Sequence, residues 1–144
     1  MRFYILSLLV LLSYHTVAQS SPEPWRPAQL MPTKTLAERI QKEELGKTII
    51  MSVGPDAIIK GSVDIGPGRE YQNIAKLKNH LRSISKEQEV VIYCGCCPFS
   101  KCPNIRPAFS ALVEMGFKNA KLLDIPKNIK VDWLDKNYPT QAQP

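Results

Sequence analysis

Four cysteines fall within nine residues: Cys94, Cys96, Cys97 and Cys102. They lie in the stretch Tyr93-Cys94-Gly95-Cys96-Cys97-Pro98-Phe99-Ser100-Lys101-Cys102-Pro103-Asn104-Ile105-Arg106-Pro107. A thiol is a nucleophile only as its thiolate, and its pKa falls beside cations and at the N-terminus of a helix. Lys101 and Arg106 supply cations here, and the helix expected to follow supplies free N–H groups. The same donors would stabilise a persulfide anion, a second sulfur carried on the first. None of this needs a histidine base. A papain-like Cys–His pair fits poorly, because the one histidine beyond the leader, His80, reads as a helix-surface residue.

Within the cluster, Cys94 is the expected nucleophile. It directly follows the strongest strand signal in the chain, so its backbone is the most firmly held of the four, and nucleophiles work best on rigid elements. Cys97 is the runner-up, spaced to attack a persulfide or mixed disulfide on Cys94. Cys96, Cys102, Lys101 and Arg106 are expected to shape the loop and bind substrate. Pro98, Pro103 and Pro107 stiffen it.

The same residues admit rival chemistry. Cys94 and Cys97 form a C-x-x-C between a strand and a helix, where thioredoxin-like oxidoreductases keep a dithiol. Four clustered thiolates are also chemically sufficient for zinc, copper(I) or an iron–sulfur cluster. Structural zinc sites, however, usually draw on two separated knuckles, and one short loop is crowded for tetrahedral closure. The expectation is therefore no bound metal and no cofactor. A third possibility is a disulfide from Cys94 or Cys97 to Cys102 that merely shapes the loop. A disulfide framework stapling a small secreted fold would spread its cysteines along the chain, which this one does not do. The fold must stand on its hydrophobic core.

The elements that would position the loop alternate. Thr35-Leu36-Ala37-Glu38 matches a capping box and predicts a helix through about Glu44, ending near Gly46. Residues 47–53 and 57–63 read as short strands, separated by Gly54-Pro55. Over 69–83, Ile74, Leu77, Leu81 and Ile84 recur at helical spacing. Residues 89–93 form a continuous β-prone run suited to a sheet centre. Phe109, Leu112 and Val113 predict a helix over 107–116, and 120–123 a last strand. Trp133 reads as a packing anchor. Strands alternating with helices imply an α/β fold, a mainly parallel central sheet with helices on both faces. Ligands of such sheets bind beyond the carboxyl ends of the strands, where the cysteine loop begins.

The pattern around the loop resembles the single-domain rhodanese-like (thiosulfate sulfurtransferase-type) proteins over about residues 30–139. The likeness lies in a strand ending in Tyr-Cys (Val90-Val91-Ile92-Tyr93-Cys94), a loop closing on Arg106, and a helix ending in Glu114-Met115-Gly116-Phe117. Asn119-Ala120-Lys121-Leu122-Leu123, and then Trp133 with Tyr138-Pro139, are similar to the family's final strand and tail. Ile59-Lys60-Gly61-Ser62-Val63 is similar to its His-Ile-x-Gly-Ala segment. The resemblance implies a rhodanese-like fold, Cys94 as sulfur carrier, Arg106 as loop-closing arginine, a small donor such as thiosulfate or a thiosulfonate, and a thiol acceptor. Three departures stand out. The loop from Cys94 to Arg106 is thirteen residues against about six in the family. Ser52-Val53-Gly54 replaces an Asp-x-Arg, and Ile58 replaces the upstream histidine.

The rest of the chain bounds location and partners. Arg2, a short apolar run over 3–12 and the small-residue exit at Thr16-Val17-Ala18 follow the order of a secretory signal peptide. The run is too short for a span, which needs about 20 helical residues. The expected organisation is a leader at 1–18, a Pro-rich extended lead-in at 19–32, a domain at 33–139 and a tail at 140–144. The destination is periplasmic or secreted, with no membrane contact after cleavage. Losing Arg2 leaves 18 basic and 13 acidic residues, a net charge of +5. Those charges are dispersed, with no basic stripe interleaved with aromatics, which argues against a nucleic-acid partner.

Overall fold

The computed structural model describes residues 22–142. The leader expected at 1–18 lies outside the described residues. Within them, five strands form one all-parallel sheet: β1 (Leu30–Pro32), β2 (Ile49–Ser52), β3 (Ser62–Asp64), β4 (Val90–Tyr93) and β5 (Ala120–Asp124), in the order β1-β5-β4-β2-β3. Helices α1 (Thr33–Gln41), α2 (Tyr71–Leu81), α3 (Ile105–Glu114) and α4 (Ile129–Asp132) complete the architecture. No described helix is long and apolar enough to cross a membrane.

The apolar run that marked 89–93 as central is central. β4 pairs with β2 on one side and β5 on the other, and Val90, Val91, Ile92 and Tyr93 are each fully buried. Successive strand side chains point to opposite faces. Val90, Ile92 and Cys94 therefore join one core with Leu77 and Leu81 of α2 and Phe109 and Leu112 of α3. Val91 and Tyr93 join another with Leu36, Ala37 and Ile40 of α1 and with Trp133. Helices cover both faces, as the alternation of elements requires for a parallel sheet. Trp133 is the packing anchor expected: it is fully buried, donates its indole N–H to the Pro139 carbonyl at 3.0 Å, and meets Tyr138 edge-on at 5.2 Å.

Several boundaries differ from the sequence reading, and those around β1, α1 and β3 have identifiable causes. The lead-in contains a strand, since Leu30–Pro32 pairs in register with 122–124 of β5. Pro32 ends it, tolerable because β1 is a sheet edge and Pro lacks the N–H a central strand must donate. With Pro32 at the strand-to-helix turn, α1 begins at Thr33, and the capping box expected at Thr35 does not form. The helix stops at Gln41, where Glu43 takes the left-handed position (φ 58°) and the Glu44 N–H returns to the Arg39 carbonyl at 2.8 Å. The strand expected over 57–63 is confined to Ser62–Asp64. Ile59 is fully buried, but its segment is a loop held by the tail, through Lys60 N–H to the Pro139 carbonyl and Gln141 N–H to the Ile58 carbonyl. A buried loop must satisfy its backbone somewhere, and here the tail does it. The Gln141 amide adds bonds to the Ala57 and Ser62 carbonyls.

Trp25 gives the lead-in its grip. It is 8% exposed and meets Phe99 of the cysteine loop and Phe109 of α3 edge-on, with centroids 6.1 and 5.8 Å apart. Truncating a buried Trp to Ala costs about 3–5 kcal/mol. Trp25→Ala should therefore lower the urea midpoint with an unchanged m-value, by an amount equivalent to about 3 kcal/mol or more. A loss below about 1 kcal/mol would show that the lead-in is not part of the core.

Candidate functional site: a thiol cluster at the end of the central strand

β4 delivers Cys94 to the carboxyl edge of the sheet, where the cysteine-bearing loop opens. Two glycines make the exit possible. The backbone of Gly54, after β2, lies so close to the Cys94 carbonyl that a Cβ there would collide with it. Gly95 turns the chain at φ +80°, and a Cβ on it would lie 2.7 Å from the Ile129 side chain. The Gly95 carbonyl accepts the Ile129 N–H at 2.8 Å. Ile129 is itself fixed, because Asn128 caps α4 by accepting the Val131 N–H, and Asp132 accepts the N–H groups of Lys127 and Asn128. The loop then passes Cys96 and Cys97, forms a 3-10 turn over Phe99–Lys101, and reaches Cys102 before α3. The Phe99 N–H on the Ile125 carbonyl, at 3.1 Å, ties its middle down.

All four cysteines are free thiols. Cys94 is 5% exposed and Cys102 fully buried, while Cys96 is exposed and Cys97 half-buried. The sulfurs of Cys94, Cys96 and Cys102 lie within 4.8 Å of one another. The Cys94–Cys96 separation is 3.1 Å, and Cys96–Cys97 is 3.3 Å. The C-x-x-C spacing thus does not describe the contact pair: the sulfurs that meet Cys94 are those of Cys96, two residues on, and Cys102, not that of Cys97. Cys97, half-buried, packs against the edge of the α2–α3 core.

Asn104 was not singled out from the sequence, and it is the residue that reaches the cluster. It is buried, its carbonyl oxygen accepts the Arg69 N–H at 3.2 Å, and its amide N–H donates to the Cys94 sulfur at 3.3 Å. The first bond decides which end of the amide faces the sulfur. Its place in the sequence, between Cys102-Pro103 and Ile105, carries no sign of that role. Its long-range partner, Arg69, is invisible without the fold.

The cations expected at the thiols are elsewhere. Lys101 is exposed on the 3-10 turn. Arg106 lies in the first turn of α3, as expected, but its guanidinium pairs with Glu23, donates to the Ser100 carbonyl at 3.1 Å and lies over the Trp25 ring. It braces the loop against the lead-in. His80 is exposed on α2.

The electrostatics follow from these neighbours. The Cys94 thiol is held down to about 5, chiefly by the hydrogen bond from the Cys102 thiol. Burial opposes this, and the Asn104 amide, the Cys96 N–H and the Cys96 thiol add to the lowering. The donors keep their own protons. Cys96 is pushed up to about 12 by burial and by the sulfurs of Cys94 and Cys97, and Cys102 is pushed far above the ordinary thiol range by donating to Cys94. At neutral pH the three close sulfurs of Cys94, Cys96 and Cys102 share one negative charge, centred on Cys94. Tyr93, next door on the opposite face, serves structure: burial raises its pKa, and its hydroxyl accepts the Ile59 N–H at 3.1 Å and meets the Ser62 hydroxyl at 2.9 Å.

Such an arrangement offers a thiolate ready to attack an electrophilic sulfur, with further thiols within reach. In the reduced protein, absorbance at 240 nm should show one thiolate appearing as pH rises through about 5. Hydrogen bonds to charged groups contribute about 1.5–3 kcal/mol, so Asn104→Ala should move that inflection up by about one to two pH units. An unmoved inflection would show that the amide does not stabilise the thiolate. Compared with known proteins, the chain matches no family model and no curated protein, so its functional reading rests on this geometry.

Proposed function

We propose that the chain is an exported sulfurtransferase of the rhodanese-like type, in which Cys94 carries sulfur as a persulfide. The observation that supports this most is a thiolate at the carboxyl end of the central strand, stabilised by neutral donors from three directions. In the first half-reaction the Cys94 thiolate attacks the outer sulfur of thiosulfate. The bond between the two donor sulfurs breaks, sulfite leaves with its electron pair, and Cys94 holds a persulfide anion. In the second half-reaction an acceptor thiolate attacks the terminal sulfur and Cys94 leaves as thiolate. A thiosulfonate donor reacts in the same way and releases a sulfinate. The fall of the Cys94 pKa below neutrality serves both steps, because the attacking group and the leaving group are the same thiolate. The donor meets the cluster from the side of Cys96, the exposed sulfur of the three.

The test is sulfur transfer from thiosulfate and from a thiosulfonate, to cyanide and to a dithiol, by the wild type and the four single Cys→Ser variants. Cys94→Ser should abolish turnover with every donor, whereas Cys96→Ser and Cys102→Ser should keep part of it. Full activity in Cys94→Ser with loss in Cys97→Ser would overturn the assignment of roles. Absence of transfer from any donor, together with reduction or isomerisation of disulfides, would replace sulfur transfer by thiol–disulfide exchange. The contact at 3.1 Å would then make Cys94 and Cys96 the exchanging pair.

The export part of the reading rests on residues 1–18. N-terminal sequencing of the protein recovered from its native compartment should give a start near Gln19 or Ser20. A retained Met1 would remove export from the proposal.

A further inference from the structure

We propose that Cys94, Cys96 and Cys102 form a three-coordinate thiolate site for a soft monovalent metal ion of the copper(I) class. This goes beyond sulfur transfer and does not depend on it, and it departs from the expectation of a metal-free cluster.

The argument begins with spacing. A metal–thiolate bond of about 2.3 Å places the sulfurs of a trigonal site about 4 Å apart. The three sulfurs here are separated by 3.1 Å at one edge and lie within 4.8 Å throughout, so small rotations about the Cα–Cβ bonds suffice to seat an ion among them. Their backbones come from two directions. Cys94 and Cys96 flank the turn at Gly95, and Cys102 enters from the far end of the loop. An ion bound to all three bridges both ends of the loop, which two adjacent residues alone would not do.

Ligand number and softness decide the class. Thiolates select copper(I), zinc and iron–sulfur clusters over hard cations. Structural zinc takes four protein ligands in a tetrahedron. The fourth cysteine, Cys97, touches Cys96 but is not among the three mutually close sulfurs. Three soft donors, two of them buried, suit a three-coordinate ion that needs no fourth ligand. Asn104 donates to the Cys94 sulfur and so serves as the outer partner that orients a ligating atom. Binding releases the protons of Cys96 and Cys102 to solvent, and no electron is transferred. A metal-bound Cys94 is no longer free to attack, so metal and persulfide exclude each other.

The test uses the full mature chain, reduced and kept anaerobic, titrated with copper(I) buffered by the coloured chelator bicinchoninate. The expected result is withdrawal of one copper(I) per chain, with an X-ray absorption spectrum reporting three sulfur neighbours. Cys96→Ser removes an exposed ligand without touching the core, and should weaken binding by at least about 100-fold, the upper end of what loss of a mere outer-shell partner costs. Far-ultraviolet circular dichroism matching the wild type would show that this variant folds. Cys97→Ser should keep the stoichiometry and an affinity within a few-fold of the wild type. Failure to withdraw copper(I) from the chelator would overturn the proposal, whatever the sulfur-transfer assays show. Equal losses in Cys97→Ser and Cys96→Ser, or a one-to-one zinc(II) complex that requires Cys97, would overturn the three-coordinate assignment.

Discussion

β4 is buried on both faces and paired along both edges, and the geometry of the cysteine loop depends on that burial. A strand so enclosed has no freedom to shift register, because a one-residue slip would turn Val90 and Ile92 out of one core and Val91 and Tyr93 out of the other. Its carboxyl end is therefore a fixed point. Gly54 packs on the Cys94 carbonyl and the Val53 N–H donates to the Tyr93 carbonyl at 2.8 Å, so the neighbouring strand confirms the position of the exit from its own side. Cys94 inherits the rigidity of the sheet, while the cysteines beyond it belong to the loop.

The electrostatic solution at this point is unusual in its donors. The ordinary route to a low thiol pKa is a neighbouring cation or a helix N-terminus. Here the thiolate is instead supported by a carboxamide, a backbone N–H and two thiols, all neutral. A neutral thiol donor lowers one pKa by raising its own, so at neutral pH the second and third protons stay on Cys96 and Cys102 while Cys94 is ionised. The cations of the loop are free for mechanical work. Arg106, held by Glu23 and the Ser100 carbonyl and stacked over Trp25, joins the lead-in to the loop.

Much of this was legible in the sequence, for definable reasons. The continuous β-prone run over 89–93 suited a strand enclosed on both sides, and it placed the start of the cysteine loop at the end of that strand. The alternation of elements predicted the parallel sheet, because parallel pairing needs crossover helices. What escaped was long-range. β1 is three residues with a terminal proline, too short to carry periodicity, and exists because β5 offers it an edge some 90 residues away. The run at 57–59 looks like a strand because Ile59 is buried, yet it is a loop, and the segment's partners sit at Pro139 and Gln141. Within the site, spacing alone suggested a Cys94–Cys97 pair, but the left-handed turn at Gly95 brings Cys96 to Cys94 instead. Asn104 was hidden for the same reason as β1, since its function is defined by Arg69 and Cys94, neither of them local.

The clamp over the loop also has a kinetic side. The contacts that close it, Glu23 to Arg106 and Trp25 to Phe99 and Phe109, join segments more than 70 residues apart, and such contacts form late because the intervening chain must first be ordered. The four thiols lie within nine residues and meet one another long before that. Under oxidising conditions the unfolded chain thus faces a race. Premature pairing of neighbouring cysteines competes with assembly of the sheet that holds three of them reduced and close. The order in which strands arrive, as much as the final arrangement of sulfurs, then determines whether a competent cluster is made.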